Sequence, residues 1–285
     1  MAKKGQTALV TGASSGIGRA TAIRLAEQGF QVIVTARRIQ RLNELADQVQ
    51  GITPKKIDQS EPEEVEKFCR YVSGLSKPVS VLINNAGYSI RGALEDVALG
   101  DIRRLFEVNL FSLIRITQAC LPGMRRLRTG TIVNVSSMVG KFAFPMRGIY
   151  AATKYALEAV SDALRMEVRP FGIRVVTVRP GAIATELSDV ANRLTGDLLA
   201  RTAPDYKPVY EATLAAVRKM YEPISRPAPD FIADIILEAV LADVPKTVYS
   251  VGPLSEELLG QRARLDDDEF DRFMTEKTGL MGLKV

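Results

Sequence analysis

The chain has 285 residues, 46% hydrophobic and 25% charged, with a formal net charge of +5. That balance is an ordinary globular one, with enough apolar mass for a full core in one large α/β domain or two smaller ones. The absence of histidine excludes His-based triads and His-ligated metals, and two cysteines, Cys69 and Cys120, cannot build a disulfide framework. An acid–base catalyst must then be Tyr, Lys, Cys or a carboxylate, and no metal is expected. No apolar run approaches the ~18 residues that span a bilayer, and MAKKGQTALVTG lacks a signal-peptide core. A cytoplasmic, reducing compartment is expected. The basic residues are scattered; the cluster Arg125, Arg126 and Arg128 reads as a solvated helix end, so no nucleic acid is expected as partner.

In chain order, TALVTG predicts a buried strand and residues 16–28 a helix ended by Gly29. QVIVTAR follows as a second strand. Residues 38–50 carry Ile39, Leu42, Leu45, Ala46 and Val49 at helical spacing, and GITPKKID holds a short third strand. Residues 61–75 predict a helix, with Ser60 as N-cap and Pro62 in its first turn. VSVLINNAG is the fourth strand, residues 101–126 one long helix, and GTIVNVSS the fifth strand. A helix over 150–169, stopped by Pro170, leads to the sixth strand, IRVVTVRPG. Strands alternating with helices, apolar throughout, predict a doubly wound parallel sheet of about seven strands covered on both faces, with ligands at the strands' carboxyl ends.

After Ala184 the pattern changes. Residues 186–227 are helical in tendency but broken by Pro204, Pro208, Pro223 and Pro227, and read as a flap over a substrate site. A helix over 230–242 and the strand KTVYSVG follow, then an appendage at 252–285 with the acidic stretch LDDDEFDRFMTEKTGL. The whole, 1–285, reads as one domain. The tail either meets a partner or is solvated.

Three constellations carry chemistry. The first, TGASSGIG at 11–18, lies at a strand-to-helix turn, where glycines let backbone approach a pyrophosphate and free N–H groups meet its charge. Its G-x3-G-x-G spacing is not the common dinucleotide fingerprint, so alone it is a weak signal. The second is the end of the second strand, Thr35–Ala36–Arg37–Arg38, where an NAD enzyme places an acid on the ribose hydroxyl. A guanidinium there suits the 2′-phosphate of NADP, and a base opening a helix is otherwise disfavoured. The third is Tyr150–Ala–Ala–Thr–Lys154: at i and i+4 on one helix face, the ammonium would lower the phenol from ~10 towards neutrality.

Together these residues resemble the short-chain dehydrogenase/reductase family, in its compact single-domain branch. TGASSGIG, Asp58, NNAG at 84–87, Asn109, NVSS at 134–137, YAATK at 150–154 and PGAIAT at 180–185 stand in family order, over about residues 6–186. The resemblance implies a Rossmann-type fold and hydride transfer between a nicotinamide and a carbonyl or alcohol. It implies catalysis by Tyr150 as proton donor, Lys154 as its tuner and ribose ligand, Ser137 rather than its neighbour Ser136 as carbonyl orienter, and Asn109 through a water. For the cofactor it implies Gly12, Ser14, Ser15, Gly16, Ile17 and Gly18 in the turn, and Arg37 with Arg38 at the 2′-phosphate. Asp58 would bond the adenine amino group, and Asn85, Ala86 and Gly87 pack along the adenosine. Tyr150, Lys154, Pro180, Gly181, Ile183 and Thr185 would meet the nicotinamide end. Ser15 stands where many NADP-preferring members carry a second base, so preference for NADP over NAD rests mainly on Arg37.

Substrate choice is expected in residues 88–96, 138–149 and 186–227. Met138, Val139, Phe142, Phe144 and Met146, with Leu187, Leu194, Leu198, Leu199, Tyr206, Tyr210 and Met220 of the flap, either line an apolar pocket or belong to the core. The C-terminal part is similar to members acting on steroid- or retinoid-like alcohols and ketones, which implies a bulky apolar small-molecule substrate. Two alternatives are a β-ketoacyl thioester reductase and a non-catalytic NADP(H) sensor. The resemblance also implies a homodimer or homotetramer through the helices at 101–126 and 150–169.

Overall fold

The structure, a computed structural model, describes residues 5–186, 191, 195, 196, 198–200 and 202–284. Strand β1 (Thr7–Thr11) turns into α1 (Gly16–Glu27), β2 (Gln31–Ala36) into α2 (Ile39–Gln48), and β3 (Ile52–Lys56) into α3 (Pro62–Ser73). After β4 (Val79–Asn84) come α4 (Leu99–Phe106) and α5 (Ser112–Leu127); β5 (Gly130–Val135) precedes α6 (Gly148–Val168) and β6 (Ile173–Pro180). Helices α7 (Lys207–Tyr221) and α8 (Pro229–Leu241), strand β7 (Val248–Val251), and helices α9 (Ser255–Arg264) and α10 (Asp267–Lys277) complete the chain.

The sheet has the order β3-β2-β1-β4-β5-β6-β7 and every neighbouring pair is parallel. Chain direction across the sheet reverses between β1 and β4, and this opens a crevice at the carboxyl ends of those strands. The strands read as apolar throughout because both faces are covered. Ala8, Val10, Val32, Val34, Val81, Ile83, Val176 and Val178 pack with Ala22, Leu25, Ile232 and Ile236 of α1 and α8 on one face. Their alternates Leu9, Ile33, Leu82, Ile132 and Val175 pack with Phe68, Ile116 and Met124 of α3 and α5 on the other.

Several expectations are corrected. The helix predicted over 101–126 starts at Leu99 and is broken by a π-helical turn, Glu107–Phe111, which carries the buried Asn109. Such turns concentrate at functional sites. Ser60 does not cap α3: the N-cap is Glu61, and the Ser60 hydroxyl donates to Asp58 Oδ1 at 2.8 Å. Of the flap residues open between pocket and core, two are core. Leu198 is buried in a third cluster, and Tyr210 is fully buried, accepting from the Ala93 N–H at 2.7 Å and donating to Asp96 at 2.8 Å. Leu187 and Leu194 lie outside the described residues.

The third cluster also decides what the tail does. Phe270 and Met274 of α10 are buried with Leu258, Phe142, Phe144 and Tyr150. Phe142 meets Phe144 and Phe270 edge-on, at centroid distances of 5.4 and 5.9 Å. Acidic residues open α10 because its N-terminus favours them: Asp266 and Glu269 form a capping box. The apolar side of that same helix braces the segment leading into α6.

Candidate active site

The crevice lies where β1, β4, β5 and β6 end. Ile17, Asn85, Gly87, Ser137, Tyr150, Lys154, Pro180, Gly181, Ile183 and Thr185, ten of the residues singled out in the sequence, line one cleft.

Helix α6 presents Tyr150 and Lys154 one turn apart, both buried. Burial pushes the Tyr150 phenol up to about 12, while the Ser137 hydroxyl bonded to it and the charge of Arg147 hold it down. The phenol is expected near neutrality; burial outweighs the groups that lower it, and its net shift is up. Lys154 Nζ donates to the Val135 carbonyl at 2.9 Å and stands 5.9 Å from the Tyr150 ring centroid. Burial lowers the lysine to about 8, against the opposing pull of Glu158. Glu158, at i+4 from the lysine and fully buried, accepts from Arg179 at 2.9 and 2.6 Å. Ser137, not Ser136, reaches the phenol, because Ser137 opens a 3-10 turn and its oxygen also accepts from the Val139 N–H at 3.3 Å.

Asn109 lies behind the lining. Its carboxamide accepts from the Tyr88 N–H at 3.1 Å and donates to the Tyr88 carbonyl at 3.0 Å and Thr153 at 3.1 Å. The π turn thereby ties the end of β4 to α6, one residue from Lys154.

The glycine turn divides into two kinds of glycine. A Cβ on Gly12 would lie 2.7 Å from Ala86 Cα, and one on Gly18 only 2.4 Å from Asn85 Nδ2. Those two are glycine so that the turn can pack on the end of β4, where Asn85 Nδ2 donates to the Thr11 and Gly12 carbonyls at 3.0 and 3.3 Å. Packing on β4 therefore requires glycine at both positions, whatever the turn binds. Gly16 is different: its φ is +56°, and only Thr185 lies within van der Waals reach of the missing side chain. Helix α1 begins there with no side-chain cap and no acid in its first turn. Uncapped N–H groups facing a cleft fit a diphosphate.

Outside the lining of that cleft, beside the glycine turn, Arg38 donates to the Ser14 and Ser15 hydroxyls at 3.0 Å each. Asp58 accepts from the Ser60 N–H and O–H at 2.9 and 2.8 Å. Burial raises its carboxyl, but those bonds and the charges of Arg37 and Arg104 outweigh it, and the net shift is down. Two guanidiniums, two hydroxyls and no acid on the last residues of β2 fit a phosphate on the adenosine ribose.

The sequence profile described as short chain dehydrogenase matches residues 6–194. The chain belongs to this family. An uncharacterized oxidoreductase of Escherichia coli strain K12, YbbO, is 35% identical over 250 residues, 86% of this chain and 85% of the relative. The crystal structure of a short-chain dehydrogenase from Streptomyces avermitilis is 31% identical, with a TM-score of 0.79 over 99% of both chains. A short-chain dehydrogenase from Sphingobium yanoikuyae, solved in complex with NADPH, is 27% identical, with a TM-score of 0.71 over 98% of this chain and 96% of that one.

In this short-chain dehydrogenase the segments 88–96, 138–149 and 186–227, where substrate choice is expected, contribute side chains not singled out individually. Arg91, Arg147, Tyr221 and Arg226 also line the cleft. Glu186 binds Arg38 at 2.8 Å and Arg41 at 2.6 Å. The i,i+4 spacing of Lys154 and Glu158 was a legible signal; the arginines lie in the variable segments, but no local motif picks them out.

Proposed function

We propose that the protein is an NADP(H)-dependent oxidoreductase that interconverts a carbonyl and an alcohol. The observation that carries this reading is the Ser137 hydroxyl on the buried Tyr150 phenol, with Lys154 one turn further on the same cleft. The NADPH-bound relative and the acid-free end of β2 support NADP over NAD.

Residues at α1's start, with Ser14, Ser15, Arg37, Arg38 and Asp58, would hold the diphosphate and adenosine end. Asn85, Ala86, Gly87, Lys154, Pro180, Gly181, Ile183 and Thr185 would hold the rest. When bound, the cofactor supplies the hydride. Tyr150 donates its phenolic proton to the carbonyl oxygen. Burial keeps the phenol protonated at neutral pH, so the proton is in place to be given. Ser137 donates a hydrogen bond to the same oxygen as charge grows on it, and its fixed place costs no reorganisation. Lys154 keeps its charge below about pH 8 and stabilises the phenolate left behind. Exposed Phe111, Tyr155 and Met166 on α5's approach and α6 support assembly into a homodimer or homotetramer.

The test is the initial rate of NADPH and NADH oxidation across ketones, aldehydes and an acetoacetyl thioester. Turnover preferring NADPH supports the reading. Tight NADPH binding with no turnover, and no effect of Tyr150→Phe, would replace it with a sensor.

A further inference from the structure

The substrate half of the cleft is cationic. Arg91, Arg147 and Arg226 line it together with Lys154, and no carboxylate does so among the described lining residues. The three arginines come from three separate segments, and each is held in place by its backbone. The Gly92 N–H donates to the Met146 carbonyl at 2.8 Å, which sets Arg91 beside Arg147. Met146 takes a φ of +62° to do so, a left-handed conformation that costs a non-glycine residue free energy. Gly92 packs tightly, since a Cβ there would lie 2.8 Å from a Leu198 methyl and 2.9 Å from a Val97 methyl, which would have to shift. Across the cleft, the Pro227 carbonyl accepts from the Ala184 N–H at 3.0 Å and fixes Arg226 next to the end of β6.

Bringing like charges together in a partly buried cleft is unfavourable. Burial, then the charge of Arg147, pulls Arg91 down to about 10. Arg147 also acts on the Tyr150 phenol, so its guanidinium is close to the reacting oxygen. Among the described residues neither Arg147 nor Arg226 is in an ion pair; Arg147 lies 5.6 Å over the Phe144 ring. Guanidiniums outside ion pairs on one catalytic cleft, as Arg147 and Arg226 are among the described residues, fit an oxyanion.

We propose that the substrate carries an oxyanion, a carboxylate or phosphate monoester, held by Arg147 and Arg226 with Arg91 beside them, while its apolar part lies on Met138 and Val139. This rests on the oxidoreductase reading above and names its substrate class. It revises the expectation of a purely apolar ketone. The cofactor's own phosphates have separate donors at α1 and Arg38, so Arg147 and Arg226 are left for the substrate.

The test compares short- and medium-chain aliphatic oxo acids with their methyl esters, and with hydroxyacetone phosphate, in NADPH oxidation. Calorimetry on the NADP+-loaded protein with the same compounds reads binding without turnover. The acids or the phosphate are expected to exceed the esters in kcat/KM about tenfold or more, and Arg226→Gln and Arg147→Gln to abolish that ratio. A preference for the phosphate over the acids assigns which oxyanion it is. Esters turned over as well as acids would overturn the inference and leave the oxidoreductase reading standing. Arginine-dependent binding of the acids without turnover would support the inference and sink the oxidoreductase reading. Neither turnover nor binding of any anionic probe would overturn the inference.

Discussion

Glu186 and Arg38 are joined at 2.8 Å, and the same guanidinium holds Ser14 and Ser15. Glu186 also takes Arg41, and the two arginines, Arg41 first, hold its carboxyl down to about 2. It is therefore charged at every working pH and competes with any phosphate for Arg38. Both partners are nearly half exposed, so the pair is weak. Glu186→Gln is expected to lower the KM for NADPH ~2- to 5-fold. Arg38→Ala is expected to raise it more than it raises the KM for NADH. Equal effects on both cofactors would remove Arg38 from the 2′-phosphate.

Tyr150→Phe removes the proton donor and keeps the ring in its buried cluster. A loss of ~10²- to 10⁴-fold in kcat is expected, with NADPH binding by fluorescence retained.

Lys154 titrates at about 8 because it is buried, below its ordinary 10.5. A base with a depressed pKa loses its charge as pH rises through that value. For carbonyl reduction, kcat/KM is expected to be flat below pH 8 and to fall above it. The stability consequence has the opposite sense. Between about 8 and 10.5 the unfolded chain binds more protons at this position than the folded one, so this group's contribution to stability rises with pH across that window. A pH–rate profile and thermal unfolding at several pH values check the two separately.

Gly12→Ala places a Cβ at φ +68°, 2.7 Å from backbone at Ala86. The strain alone is ~1–2 kcal/mol, and the clash adds to it. A lower Tm is expected even without cofactor. Gly16→Ala meets only Thr185 at 3.5 Å, so its cost comes from φ, and the larger effect is expected on NADPH binding.

Phe111 is 52% exposed, and its ring lies tilted beside Phe106, with centroids 6.3 Å apart. Phe111→Asp is expected to shift the species seen by light scattering towards monomer while leaving the unfolding transition intact.

The parallel sheet, the glycine turn, the acid-free end of β2 and the Tyr150–Lys154 pair were legible in the sequence. Each is set by local rules, namely strand and helix periodicity, the chirality of the backbone and the i,i+4 geometry of one helix. The π turn at Asn109 was not, because its residues, EVNLF, carry no breaker and only packing against Tyr88 and Thr153 selects it. Nor was the fate of the acidic tail, whose charges serve a helix start while Phe270 and Met274 find a cluster built from residues far away in the chain. The arginines of the cleft belong with these. Arg91, Arg147 and Arg226 are far apart in sequence, and each alone reads as a solvated charge. The tertiary fold, with the Gly92–Met146 and Ala184–Pro227 backbone bonds beside them, makes them one surface, because Coulomb energy depends on distance in space and the chain's order holds no record of it.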